Sequence, residues 1–217
     1  MTSRVSGEAA ELLAGCRELG IDIESPEFIP DRLLSYLDRL YHWNRIAALT
    51  SVARKDAVRL HLLDCLAASP LLPGGRCLDI GTGAGLPGLV LAIVRPSIRF
   101  VLVESNRKKC SFLAETARSL SLSNIEIVES DVARLAENSP FQAVISRAFR
   151  APAEFLDVAK QRVSTEGRVI AMMAGSDDRE LEELARRSGL ALGLVRRFQL
   201  PGGAERRTLA TFEPCFT

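Results

Sequence analysis

At 217 residues, 47% hydrophobic and 25% charged, the chain has enough apolar mass for one sizeable core and at most a small helical appendage. A net charge of +1 and a pI of about 7.6 exclude a global pull toward nucleic acid or membrane, so a polyanionic partner must be met by local groups of Arg and Lys. Five scattered cysteines without a C-x-x-C pair point to buried thiols in a reducing compartment, and two histidines offer no zinc constellation.

The N-terminal stretch "MTSRVSGEAAELLAGC" lacks the apolar core of a secretory signal, and no segment reaches the ~18 apolar residues of a membrane span. A cytoplasmic address is the expectation. Up to residue 70 the pattern is helical only: apolar residues recur at helical spacing from Pro30 to Leu49, and a second helix fits Lys55 to Ser69. After the punctuated connector "SPLLPGG" the character changes. Short apolar strands ("RCLDIG", "RFVLVE", "IEIVES", "FQAVIS", "RVIAMM") alternate with amphipathic helices, and "LALGLVRRFQL" and "RRTLATFE" close the chain around the turn "PGGAE". Such alternation predicts an α/β, doubly wound, Rossmann-like domain over residues 71–217 with a mostly parallel, seven-stranded sheet. The closing hairpin predicts an antiparallel edge, and residues 1–70 a helical region packed on the core.

"LDIGTGAGLPG", Leu78 to Gly88, lies where the first strand should turn into a helix. Glycines there let the backbone turn tightly and approach a nucleotide-like cofactor. Two registers compete: Gly81, Gly83 and Gly85 form G-x-G-x-G, while Gly83, Gly85 and Gly88 form the dinucleotide fingerprint. Asp79 inside the strand end, and Pro87 removing an N–H where a pyrophosphate wants donors, favour S-adenosylmethionine, which has no phosphate. Glu104, closing the second strand, is in reach of a ribose diol with either cofactor. After the third strand, Asp131, Val132 and Ala133 are candidates to hold an adenine; Asp131 serves equally as a helix N-cap for "VARLAE".

The residues after the fourth strand, Ser146, Arg147, Ala148, Phe149 and Arg150, lack the acidic-or-Asn, double-proline pattern of amino-methylating enzymes. The one Pro-Cys pair, Pro214-Cys215, lies in the C-terminal tail, so no cysteine nucleophile for ring-carbon methylation is evident. What remains is an acceptor that is already nucleophilic, such as a guanine ring nitrogen, which needs placement rather than a general base. Arg147 suits a guanine O6 or a phosphate, Phe149 suits base stacking, and the Arg196-Arg197 and Arg206-Arg207 pairs suit phosphates. Each also has a plain structural reading, as a solvated strand end, a core ring or solvated faces.

"HLLDCL", "LDIGTGAGLPGLVLAIVRP", "NRKKCSFL" and "VISRAF", with the weaker "WNRIAALTSV", resemble the RsmG (GidB) family over most of the chain. The resemblance implies a bacterial methyltransferase that uses S-adenosylmethionine on N7 of guanine 527 in the 530 loop of 16S ribosomal RNA. Its partner would be that RNA within the 30S subunit or a late precursor, and a monomer is expected. It further implies cofactor contacts at Gly81, Leu86, Val132, Ala133 and Arg147, with His61 and Asp64 near the same cleft. One departure stands out: family members often carry Lys-Gly after the fifth strand, where this chain has Ala174-Gly175. Two other functions stay open: a nicotinamide-dependent reductase, and a non-catalytic RNA-binding or ribosome-assembly module.

Overall fold

The computed structural model describes residues 2–23, 27–135, 140–147 and 151–215, with side chains from residue 7 onward. Helices α1 (Thr2–Glu18) and α2 (Ile29–Ala47) precede a sheet of β1 (Arg76–Ile80), β2 (Arg99–Glu104), β3 (Ile125–Glu129), β4 (Phe141–Arg147), β5 (Val163–Met173), β6 (Leu190–Gln199) and β7 (Arg206–Pro214). The strand order is β3-β2-β1-β4-β5-β7-β6. The first five strands pair in parallel, and β7 runs antiparallel to both β5 and β6. The closing hairpin therefore does not simply flank the sheet: β7 inserts between β5 and β6, which leaves β6 at the edge.

Between the strands come α4 (Gly88–Val94), α5 (Arg107–Ser119), α6 (Pro152–Ala159) and α7 (Asp178–Ser188). Along the strands successive side chains feed opposite faces. Cys77, Phe100, Leu102, Ala143 and Ile145 join one apolar cluster, whereas Leu78, Val101, Val103 and Val144 join the other. Covering both faces is what a parallel sheet demands. The helix α4 is buried at every residue, consistent with its unbroken "GLVLAIV". Helix α5 starts where the Asn106 side chain accepts the Lys108 and Lys109 backbone N–H groups, and α7 ends on Gly189 at φ 71°.

The helices before the sheet share the first core. Leu33, Leu37 and Leu40 of α2 are fully buried, and the Tyr36 and Trp43 rings lie 6.4 Å and 6.1 Å from Phe112 of α5. The expected helix from Lys55 to Ser69 is irregular. A 3-10 turn (Arg54–Asp56) leads into a π-helical stretch (Val58–Leu63), a short α3 (Asp64–Leu66) and a second 3-10 turn (Ser69–Leu71). Apolar spacing does not distinguish a π turn from an α turn, so this break was invisible in the sequence. Of "VARLAE", the described residues up to 135 form a 3-10 turn, Val132–Arg134.

Candidate active site

After β1 the chain turns through Gly81, Gly83 and Gly85 at φ 67°, 58° and 83°, the left-handed region that favours glycine. Gly88 is glycine for a different reason. A Cβ there would sit 2.3 Å from Leu102 Cδ2 and 2.6 Å from Asp79 Oδ2. Gly81 and Gly83 thus answer to backbone conformation, Gly85 to conformation and to space, since a Cβ there would lie 2.7 Å from Leu89 Cβ, and Gly88 to space.

Asp79 organises this loop. Its Oδ2 accepts hydrogen bonds from Thr82 Oγ1 (2.6 Å) and from the Gly88 N–H (2.8 Å), closing the turn onto the start of α4. Its Oδ1 is buried with no hydrogen-bond partner among the described residues. Burial pushes this carboxyl up to about 6, against the opposing pull of the Thr82 and Gly88 donors. From outside the sheet, the buried Tyr36 hydroxyl donates to the Ala84 carbonyl at 2.8 Å, so α2 holds the loop as well. The Leu86–Pro87 peptide bond is cis.

A recess of about 60 Å³ opens over the carboxyl ends of β1, β2 and β3, and brings together Gly81, Glu104, Ser105, Ser130, Asp131 and Val132. Glu104, 8% exposed, accepts from the Gly83 N–H (3.0 Å) and the Asn106 N–H (2.8 Å), so its carboxylate braces the glycine loop from the next strand. Asp131 accepts from the Ala133 N–H at 2.9 Å. It is thus the cap of the 3-10 turn and also part of the recess wall. Leu86 lies apart: its side chain is buried in the first core, and its N–H donates to the Thr82 carbonyl.

A second cleft of about 290 Å³ lies over β4, β5 and β7, lined by apolar Val52, Leu60, Met172 and Met173, by Ala174, and by polar His61, Asp64, Arg147 and Arg207. Arg147 is no solvated strand end. Its Nη1 donates to the Leu60 carbonyl (3.0 Å) and to Asp64 Oδ2 (3.2 Å), while Arg207 Nε donates to Asp64 Oδ1 (3.0 Å). His61 and Asp64, at 3% and 5% exposure, are buried rather than a helix-surface pair. His61 Nδ1 lies 3.2 Å from the Leu60 carbonyl, which can only accept, so Nδ1 carries the hydrogen and Nε2 accepts from the Thr50 hydroxyl at 2.8 Å. Burial, with help from the Arg147 charge, lowers His61 to about 4, and the ring is neutral at pH 7.

The Thr50 loop forms a wall of this cleft, clasped by reciprocal bonds with Asn44 and by the Tyr41 hydroxyl donating to the Val52 carbonyl. The residues of "WNRIAALTSV" carried the only sequence signal for that wall. Arg207 as a partner of Asp64 had none beyond its place in a basic pair. Phe149, expected to suit base stacking, lies outside the described residues, as does Arg150. Of the other basic residues, Arg196 donates to the Leu19 carbonyl, and Arg197 pairs with Asp178 at 2.6 Å.

Residues 30–207 match the family described as rRNA small subunit methyltransferase G, GidB. The chain belongs to this family. Ribosomal RNA small subunit methyltransferase G of Methylococcus capsulatus is 38% identical over 201 residues, covering 92% of this chain and 96% of its own. That of Methylobacillus flagellatus is 37% identical over 186 residues, covering 85% and 90%. The fold recurs in a Burkholderia thailandensis 1,6-didemethyltoxoflavin-N1-methyltransferase solved with S-adenosylhomocysteine, at 16% identity and a TM-score of 0.60, covering 90% of this chain and 92% of that one. Among the described residues of this GidB-family chain no helix is long and apolar enough to cross a membrane, and no group of His, Cys, Asp and Glu is placed to hold a metal ion. Four thiols, of Cys16, Cys65, Cys77 and Cys110, are buried. Burial raises all four, Cys16 and Cys65 to about 12 and Cys110 to about 11, so none offers a thiolate near neutral pH.

Proposed function

We propose that this chain transfers the methyl group of S-adenosylmethionine to N7 of guanine 527 in the 530 loop of 16S ribosomal RNA, presented in the 30S subunit or a late precursor. The observation that carries the reading is the pairing of two differently built hollows at the point where the strand order reverses. The recess over β1 to β3 is walled by glycine backbone and acidic side chains, and the cleft over β4, β5 and β7 has apolar walls and a guanidinium floor. They meet where the Ser146 hydroxyl, just before Arg147, donates to the Ile80 carbonyl, just before Gly81. Ligands of open α/β sheets bind at such switch points.

The residues fit the methyl donor. A Cβ at Gly83 would meet nothing nearer than 3.8 Å, so the loop offers bare backbone to open space. Gly81, Gly83, Glu104, Asp131, Val132 and Ala133 would hold the nucleoside, with Leu86 shaping the loop and Arg147 facing it from β4. When bound, the cofactor supplies an electrophilic methyl on a cationic sulfur.

The rest is the work of this chain. Guanine N7 has a lone pair and no proton, so the residues around it need only orient the base and suit its change of charge. Val52, Leu60, Met172 and Met173 give a flat base apolar walls and displace water, as a base taken out of its stack requires. Positive charge grows on the purine during transfer, and a neutral His61 adds no opposing cation. The four buried cysteines offer no thiolate for attack on a ring carbon, which favours a nitrogen acceptor. The test is transfer of labelled methyl to 30S subunits from a strain lacking this gene, followed by nuclease digestion and mass analysis. N7-methylguanosine in the 530-loop fragment is the expected product; no incorporation by protein that still binds S-adenosylhomocysteine refutes the acceptor.

A further inference from the structure

Asp64 stands at an unusual junction. It comes from the helical segment before the sheet, its side chain is 7% exposed, and its two carboxylate oxygens are divided between guanidinium groups of two strands, Arg147 of β4 and Arg207 of β7. One buried negative charge thus holds two positive ones. Without it the two arginines would repel each other across a cleft with low-dielectric walls.

The donors left over are informative. Arg147 spends Nη1 on the Leu60 carbonyl and Asp64. Arg207 spends Nε on Asp64 and Nη1 on the Arg206 carbonyl. The remaining N–H groups, Nε and Nη2 of Arg147 and Nη2 of Arg207, have no partner among the described residues, although both side chains line the cleft and are only 19% and 21% exposed. These donors take no protein acceptor and belong to side chains that line the cleft, so they are available to an oxygen-rich group entering it.

We propose that Asp64 is a positioning residue for the nucleic-acid acceptor: it locks Arg147 and Arg207 into a paired guanidinium clamp whose unused donors grip oxygen atoms of the acceptor nucleotide. This rests on the methyl-transfer function proposed above. The clamp explains why the irregular helical segment is built into the cleft: its π-helical stretch runs directly into Asp64 while supplying the Leu60 carbonyl to the same arginine. Asp64 and Arg207 line the cleft and not the recess over β1 to β3, so their part in gripping the acceptor can be read apart from cofactor binding.

The test measures steady-state methylation of 30S subunits and calorimetric binding of S-adenosylhomocysteine for wild type, Asp64→Asn, Arg207→Gln and the double variant. The expected result is that each single change lowers kcat/KM for the subunit by about 10-fold or more, that the double change adds less than about threefold, and that cofactor-product affinity stays within about twofold. Either single variant remaining within about twofold of wild type overturns the clamp, as do multiplicative effects in the double variant. Loss of S-adenosylhomocysteine binding in a folded Asp64→Asn protein also overturns it, because the residue would then act on the loop rather than the acceptor. If Asp64→Asn does not fold, Arg207→Gln and Arg207→Lys decide alone: the clamp requires the first to lose about 10-fold and the second to recover part of it. A wild-type protein that binds S-adenosylhomocysteine yet methylates no subunit refutes the proposed function itself, a result distinct from all of these.

Discussion

The glycine loop makes a prediction that separates folding from binding within one motif. In Gly88→Ala the new methyl would lie 2.3 Å from Leu102 Cδ2 and 2.6 Å from Asp79 Oδ2, both on buried strands. Leu102 sits in the middle of β2 and Asp79 in β1, so neither neighbour can swing into solvent. Relief requires a shift of α4 against the sheet, an overpacking cost of about 1–3 kcal/mol. The same shift weakens the 2.8 Å bond from the Gly88 N–H to the Asp79 carboxylate. A hydrogen bond to a charged group is worth roughly 1.5–3 kcal/mol, and part of it survives, so the net loss comes to about 3 kcal/mol. For a chain of this size that is a fall in Tm of about 6–12 °C. Gly83→Ala behaves differently. Its φ of 58° makes alanine cost about 1–2 kcal/mol, yet the Cβ projects into open space, where the cofactor would lie. It should therefore melt only a few degrees below wild type and lose S-adenosylhomocysteine affinity by about 10-fold or more. Scanning calorimetry and ligand titration on both variants decide the matter. Near-wild-type melting of Gly88→Ala, or near-wild-type binding by Gly83→Ala, would refute the assignment of space to one glycine and cofactor approach to the other.

Three further outcomes follow from the same geometry. An unfolded histidine takes its proton near 6.5 and folded His61 only near about 4, so between these values the unfolded state binds more protons and stability falls as pH falls. Relative to His61→Gln, the wild type should lose about 3 kcal/mol of unfolding free energy between pH 6.5 and 4 by urea titration; parallel curves would show that the ring titrates normally. Asp79 tilts the absolute curve the other way, since its folded value of about 6 lies above its unfolded one and its contribution is lost as pH rises, which is why the difference between proteins is the quantity to read. Tyr36→Phe removes the donor to the Ala84 carbonyl and should cost about 1–2 kcal/mol with a several-fold weaker S-adenosylhomocysteine affinity. Unaltered affinity would mean that α2 supports the core but not the loop. Arg147→Ala should lower methyl transfer by about 10-fold or more with the circular-dichroism spectrum retained, and unchanged turnover would remove that residue from the site.

Much of this arrangement was readable one residue at a time. The short apolar strands, the all-apolar α4, the glycine turn after β1 and the acid ending β2 are local features, because a continuous apolar run of strand length records cover on both faces. Gly81, Glu104, Asp131 and Val132 could be named because each lies at or shortly after a strand end, and parallel strands deliver their carboxyl ends to one edge. Asp131 as a cap was equally readable, since capping is decided within a few residues.

Other features had no local signature. Gly88 looks like any helix-start glycine until Leu102 and Asp79 are brought against it. Nothing near Asp64 predicts Arg207, 143 positions along the chain. Nor does the hairpin sequence reveal that β7 slips between β5 and β6 and so carries Arg207 to the cleft. By itself the sequence determined the strands and most helices, their apolar faces and the glycine turn after β1, since those depend on backbone preference and hydrophobic pattern. The tertiary structure alone decided which distant charges share one buried carboxylate, because a polar residue tolerates burial only beside a partner that folding brings to it.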